Sequence, residues 1–130
     1  MRKFGPVLIL VSVLILTLSA CGGKAADPAG KAVENYLTAL VNKDSTKLSS
    51  LSCADWESSA LLELDSLQAV KARLDGVSCK TSGTEGTTSE VNCQGKILAT
   101  YNNEDQELDL SVRTYLVTQQ GGDYLVCGYK

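Results

Sequence analysis

The chain has 130 residues, 44% of them hydrophobic and 21% charged, with a net charge of −3. That length holds one small domain, and the composition is that of a globular protein. It contains no His, which excludes imidazole metal sites and His-based acid–base chemistry, and its acidic balance speaks against nucleic acid as a partner, since phosphate binding needs clustered Lys and Arg.

At the amino terminus, Arg2 and Lys3 form a short positive region before an apolar stretch, Val7 to Leu18, interrupted only by Ser12 and Thr17. These 12 residues are too few for a bilayer span, which needs roughly 20, and they fit the apolar core of a secretory signal. Leu18-Ser19-Ala20-Cys21 follows and resembles the lipobox of bacterial lipoproteins. There, small residues fit a peptidase cleft and the Cys thiol takes diacylglycerol as a thioether. The resemblance implies a signal peptide over 1–20, a lipidated Cys21 (palmitate-type acyl chains) and a flexible tether over 21–27. Each buried acyl CH₂ contributes about 0.8 kcal/mol, so two or three chains hold firmly. Cleavage leaves 110 residues with 10 basic and 15 acidic side chains, a net charge of −5. The competing readings are an ordinary secretory signal followed by a chance Cys, and an uncleaved anchor.

Downstream, Asp27-Pro28 opens a helix: Asp caps exposed N–H groups, and Pro at the first position forfeits no hydrogen bond. Val33, Tyr36, Leu37, Leu40 and Val41 form one apolar stripe, with Lys31, Glu34, Asn35 and Thr38 on the wet side. A short second helix is expected over 45–51, with Leu48 and Leu51 inward. A third starts at Asp55 as cap, carries Trp56, Ala60, Leu61 and Leu64 on one side, and ends at Asp65-Ser66. The segment 67–74 is ambiguous between helix and strand.

Beyond it the apolar period shortens from 3.6 to 2. Strands are expected over 72–81, 87–101, 107–118 and 124–129, with Gly95 marking a bulge. In the third, Leu108, Leu110, Val112 and Leu116 are expected to share a face. Asn102 to Asp105 reads as a turn, and Gly121-Gly122 as the centre of a hairpin. Short connections imply an antiparallel meander. The expected fold is therefore α+β: one domain over 28–130, with N-terminal helices packed on a curved four-stranded antiparallel sheet.

With Cys21 lipidated, Cys53, Cys79, Cys93 and Cys127 remain, an even set suited to disulfides in an exported domain. Three connectivities exist. The favoured one joins Cys79 to Cys93 across the turn-rich segment 81–89 and Cys53 to Cys127 across most of the domain. On the chain-entropy model the long loop contributes about 4 kcal/mol and the short one about 3. Their spacings of 26, 14 and 34 match no common zinc pattern.

The run Val33-Glu34-Asn35-Tyr36-Leu37-Thr38-Ala39-Leu40-Val41-Asn42-Lys43-Asp44 resembles the opening helix of the nuclear transport factor two-like (cystatin-like cone) superfamily. Cys53 to Trp56 and the closing Tyr124-Leu125-Val126-Cys127-Gly128 look like small exported lipoproteins of that type. The resemblance implies a cone between the first helix and the sheet. Enzymes of the superfamily commonly place Asp, His or Tyr inside it, which singles out Tyr36, Asp55, Asp65 and Tyr101. Each has a plainer role: Tyr36 in the core with its hydroxyl at the rim, Asp55 as a cap, Asp65 in a turn. Trp56 is expected to pack over a disulfide. Glu104, Asp105, Glu107 and Asp109 would gather Ca²⁺ only with a spacing and Gly that are missing, and read as a solvated turn.

These residues favour a non-enzymatic binding or interaction module, without cofactor or metal, on the extracytoplasmic side of a cell membrane or outer membrane. Its partners would be the membrane, through the lipid, and a small apolar ligand or a protein. The alternatives are a structural or accessory envelope lipoprotein, dimerising through its sheet, and a small isomerase or hydrolase using the cone pocket. Whether the cone is filled or hollow separates them.

Overall fold

Asp27 begins the folded part of the chain. In a computed structural model that describes residues 26–130, its side chain accepts from the Gly30 amide (2.9 Å) and caps α1 (Pro28–Val41). Asp44 caps α2 (Ser45–Ser50) in the same way, accepting from the Lys47 amide. Then come α3 (Ala54–Ser66), β1 (Lys71–Glu85), β2 (Thr88–Tyr101), β3 (Glu104–Asp109), a 3-10 turn (Leu110–Val112), β4 (Thr114–Gln120) and β5 (Asp123–Tyr129). The signal peptide, Cys21 and most of the tether lie outside the described residues.

The sheet is antiparallel with five strands, one more than the sequence suggested, ordered β1-β2-β4-β5 with β3 also paired to β2. The extra strand arises where 107–118 was expected to run unbroken. Asp109 accepts from the Ser111 amide (2.9 Å) and hydroxyl (2.7 Å), and Arg113 N–H closes on the Leu110 carbonyl (3.2 Å). This turn ends β3 and restarts the chain as β4 with its alternation shifted by one. Leu110 stays buried, Val112 is 73% exposed, and Tyr115 and Val117 face the core in place of Val112 and Leu116. Both pieces lie along one edge of β2: β4 beside Thr88 to Asn92, β3 beside Lys96 to Tyr101. The acidic run is therefore strand rather than turn.

Bulges bend the ladder. Gly76 and Val77 of β1 oppose the single Gly95 of β2, so the extra residue sits on the partner strand of the Gly that signalled it. Gly95 has φ 90°, and a Cβ there would lie 2.5 Å from the Gly76 carbonyl, so only glycine fits.

The apolar stripe of α1 lies against the sheet, with Val33, Tyr36, Leu37 and Leu40 fully buried. Its N-terminal end reaches the outer edge of β1. Cys79 and Cys93 face each other across β1 and β2 with Cα atoms 4.0 Å apart. The Cys79 amide turns away from β2 and donates to Glu34 Oε1 (3.1 Å). Two residues on, the Thr81 amide and hydroxyl both donate to Asp27 (2.7 Å each). Carboxylates of α1 thus satisfy edge amides that another strand would otherwise seek. The helix comes so close that a Cβ on Gly30 would meet the Cys79 carbonyl at 2.5 Å.

Between α2 and α3 the chain joins β5 by a short parallel bridge. Cys53 N–H donates to the Val126 carbonyl and Val126 N–H to the Leu51 carbonyl, both at 2.8 Å. This brings Cys53 beside Cys127, with Cα atoms 4.8 Å apart. Cys53 is also the N-cap of α3, the role expected of Asp55. Its backbone is held extended by the bridge to β5, so the helix starts two residues earlier and Asp55 falls in the first turn, where a negative charge suits the helix dipole. Asp65 belongs to the last turn of α3, and 67–70 joins it to β1.

Asp27 carries two consequences. Burial alone would raise its pKa, but the hydrogen bonds from Thr81 and Gly30 outweigh that and hold it below the ordinary carboxylate value. A depressed native pKa adds stability above the unfolded pKa of about 3.9 and loses it as pH falls through the native value. Asp27→Ala should cost about 1–2 kcal/mol at pH 7. In thermal melts, the gap between wild type and Asp27→Asn should narrow as pH falls below about 4. Gly30→Ala should lower stability by about 1–3 kcal/mol in urea titrations, the cost of forcing helix and edge strand apart.

Candidate functional site

The space between α1 and the sheet is filled. Tyr36 and Tyr115 meet inside it with ring centroids 6.4 Å apart, and the side chains of Leu37, Leu40, Leu64 and Leu110 occupy the remainder, all of them at most 2% exposed. The polar ends of the two tyrosines point toward the mouth, where α3 and the start of β4 supply partners. Trp56 Nε1 donates to the Tyr36 hydroxyl (3.0 Å), and that hydroxyl donates to Glu63 Oε2 (3.5 Å). Arg113 Nη1 donates to Glu63 Oε1 (2.7 Å) and approaches the Tyr115 hydroxyl (3.4 Å). The guanidinium lies 4.0 Å from the Tyr129 ring centroid, a cation–π contact. Tyr129 meets Trp56 and Tyr115 edge-on, at 5.5 and 5.6 Å.

Electrostatically, this group is closed on itself. Glu63 and Arg113 are 17% and 16% exposed, so each charge has given up most of its water for the other. Burial works against the Arg113 charge, yet the Tyr115 hydroxyl and the Glu63 carboxylate outweigh it and hold the guanidinium above its usual pKa. Burial pushes the Tyr115 hydroxyl up to about 12, although hydrogen bonding to Arg113 works the other way. It pushes Tyr36 up as well, only partly offset by the Trp56 donor. Both phenols are neutral hydrogen-bonding groups at physiological pH, not bases.

Over this plug lies an open groove of about 420 Å³, with Trp56, Leu62, Leu67, Leu108 and Tyr129 as apolar walls and the Glu63–Arg113 pair at its floor. Leu62 is 70% exposed. A larger groove of about 550 Å³ lies beside the β2–β3 hairpin, but its lining is mostly polar. Its Lys43 ammonium is already spent on the Gln68 (3.3 Å) and Val70 (2.7 Å) carbonyls. The first groove combines apolar walls with a polar floor and is the better binding surface.

Of the four candidates Tyr36, Asp55, Asp65 and Tyr101, only Tyr36 enters this site. Asp55 and Asp65 are exposed on α3, and Tyr101 stands 56% exposed at the end of β2. Trp56 turns its indole over Gly128 and Tyr129 of β5. Asp105 and Glu107 face Arg73 (3.4 Å) and Lys96 (2.7 Å) across the outer sheet face, with Leu98 buried between them, and Asp109 holds the 3-10 turn. Among the described residues, no group of three Cys, Asp or Glu side chains is placed to hold a metal ion. Sequence reasoning missed Glu63, Arg113, Tyr115 and Tyr129. The available signal was Arg113-x-Tyr115, an alternation that falls opposite Leu108, Leu110, Val112 and Leu116 unless the strand breaks at 110–112.

Removing one partner of the ion pair strands the other. Glu63→Ala should cost about 2–3 kcal/mol, less than the 3–5 of a fully buried pair because the groove admits water. Glu63→Leu combined with Arg113→Met should cost less than either single change, read by urea unfolding followed through the lone Trp56. Additive losses would mean that the two charges do not stabilise each other.

No family model matches the chain, and no curated protein does. Among solved structures it is similar to a nuclear transport factor two-like protein with a cystatin-like fold from Novosphingobium aromaticivorans. The identity is 12% and the TM-score 0.55, covering 78% of this chain and 77% of that one. It is also similar to a SEC-C motif containing protein from Rhodopseudomonas palustris, at 9% identity and TM-score 0.53, covering 81% and 80%. At such identities the likeness is one of architecture, and together with the three helices packed on an open antiparallel sheet it gives this chain the cystatin-like fold of nuclear transport factor two-like proteins.

Proposed function

We propose that this chain is a non-enzymatic interaction module, carried on the extracytoplasmic face of a bacterial membrane by acyl chains on Cys21, that engages its partner through the groove over the cone mouth. The observation that carries the binding part is the filled cone. Tyr36, Tyr115, Glu63 and Arg113 occupy the place where a hollow cone would take a small substrate, and they satisfy one another there. Recognition then falls to the surface, where the apolar walls of the groove are open. Support for the anchor comes from the positive start, the short apolar stretch and Leu18-Ser19-Ala20-Cys21. A net charge of −5 would keep the mature domain off an anionic membrane surface and leave the groove accessible.

Growth with a tagged palmitate analogue tests the anchor. The wild-type chain should carry the label on a peptide beginning at Cys21, while Cys21→Ser should carry none. Recovery of wild-type chain with residues 1–20 intact and no acyl mass on Cys21 would remove the lipoprotein part of this reading.

A further inference from the structure

Among the described residues, β3 has a strand on only one of its sides. It pairs with β2, and all six of its residues are exposed. The β2–β3 turn is the two-residue Asn102-Asn103, with φ of 50° and 65°, the left-handed pair of a type I′ hairpin. In such a hairpin the flanking residues, Tyr101 and Glu104, form the first hydrogen-bonded pair. Alternation then points the backbone groups of Gln106 and Leu108 at β2 and those of Asp105 and Glu107 away from it. The same alternation carried across β2 turns the Cys79 amide outward from β1, which is where it is found, donating to Glu34. On β1 the outward amides at Cys79 and Thr81 are covered by α1 carboxylates. Among the described residues, the outward groups of Asp105 and Glu107 have no such cover.

The side chains along this edge are sorted. Asp105 and Glu107 share the outer face, and Gln106 and Leu108 the concave face. Leu108, 37% exposed, continues into the groove beside Leu62. We propose that β3 is a docking edge for an extended segment of a partner protein whose side chains alternate basic and apolar. Its backbone would complete the hydrogen bonds of Asp105 and Glu107, as in strand addition, and its apolar residues would enter the groove beside Leu62 and Leu108. Charge selects the occupant. Four of the six β3 residues are acidic, so an acidic segment, or the β3 of a second copy, is repelled. The pairs already made with Arg73 and Lys96 are exposed and weak, and an incoming Lys or Arg can share them.

This deepens the interaction reading and does not depend on the acyl anchor: labelling at Cys21 tests the one, peptide binding the other. The probe is an end-blocked peptide of alternating Lys and Val. Its control has the same composition with the Lys and Val in separate blocks. Each is titrated into the full-length chain in non-ionic detergent, and binding is read from Trp56 fluorescence at the groove wall. The alternating peptide should bind at least about tenfold more tightly than the block peptide. Glu107→Pro removes one outward N–H, which pairing with β2 does not use, and should abolish that preference while the melting temperature holds. Leu62→Asp, on the exposed face of α3, should weaken binding without touching the sheet and serves if the proline variant misfolds. Equal binding of the two peptides, or an unchanged preference in both variants, would reduce the effect to charge attraction and overturn the proposal. So would peptide-free dimers in sedimentation that Glu107→Pro dissolves, which would assign the edge to a second copy.

Discussion

β2 has both of its edges occupied, and much of the molecule follows from how they are filled. β1 takes one side along its whole length, while two shorter strands share the other end to end. Sharing requires the chain to leave β2 and return, and the 3-10 turn at Leu110–Val112 does this at small cost, because Asp109 satisfies its amide and hydroxyl groups locally. The break also changes phase. It turns Tyr115 and Val117 inward and brings Arg113 to the mouth of the cone. Without the turn there is no Arg113 beside Glu63, and the hydroxyls of Tyr36 and Tyr115 lose the group that organises them.

That polar cluster is an unusual way to end a core. Tyrosines bury large rings at low entropy cost but carry a hydroxyl that must find a partner. Here two of them are directed at one carboxylate and one guanidinium, with an indole N–H as further donor. Among the described residues, no buried side-chain polar atom is left without a partner. An ion pair in this position contributes less to net stability than apolar packing of similar volume would, but it fixes where α3 sits relative to β4 and β5. The groove outside inherits its shape from that fixed geometry. The Cys53–Cys127 pair holds the other end of α3 to β5, so the helix is restrained at its N-cap and again through Glu63.

The two unpaired sides of the β1–β2–β3 region are treated differently. On β1, the carboxylates of Glu34 in α1 and of its cap Asp27 occupy the outward amides at Cys79 and Thr81, which removes donors that another strand would pair with. On β3, among the described residues, protection comes from shortness and acidity. Charge repels like segments and admits complementary ones, so the same residues that keep the edge from pairing with itself define what it would accept.

Local and periodic features were legible in the sequence. Asp27-Pro28 starts a helix because a carboxylate and a ring with fixed φ suit that position wherever it occurs, and the stripe from Val33 to Val41 predicts a buried face because 3.6-residue spacing puts those side chains together. Turn position and chain order favoured one of three cysteine pairings, and the fold brings those two pairs together. The N-cap at Cys53 was not legible, because it depends on β5 pulling the α2–α3 link into an extended bridge. Nor was the break in the third expected strand, since Asp109-x-Ser111 becomes a turn only when two strands must share one edge of β2. Glu63 and Arg113 stand 50 residues apart and meet only through that break. The sequence by itself determined the helix faces and the class of fold, because these rest on spacing along the chain. Only the tertiary structure decided that the cone is full, which tyrosines fill it and which edge stays open, because these depend on how segments distant in sequence compete for the same space and the same hydrogen bonds.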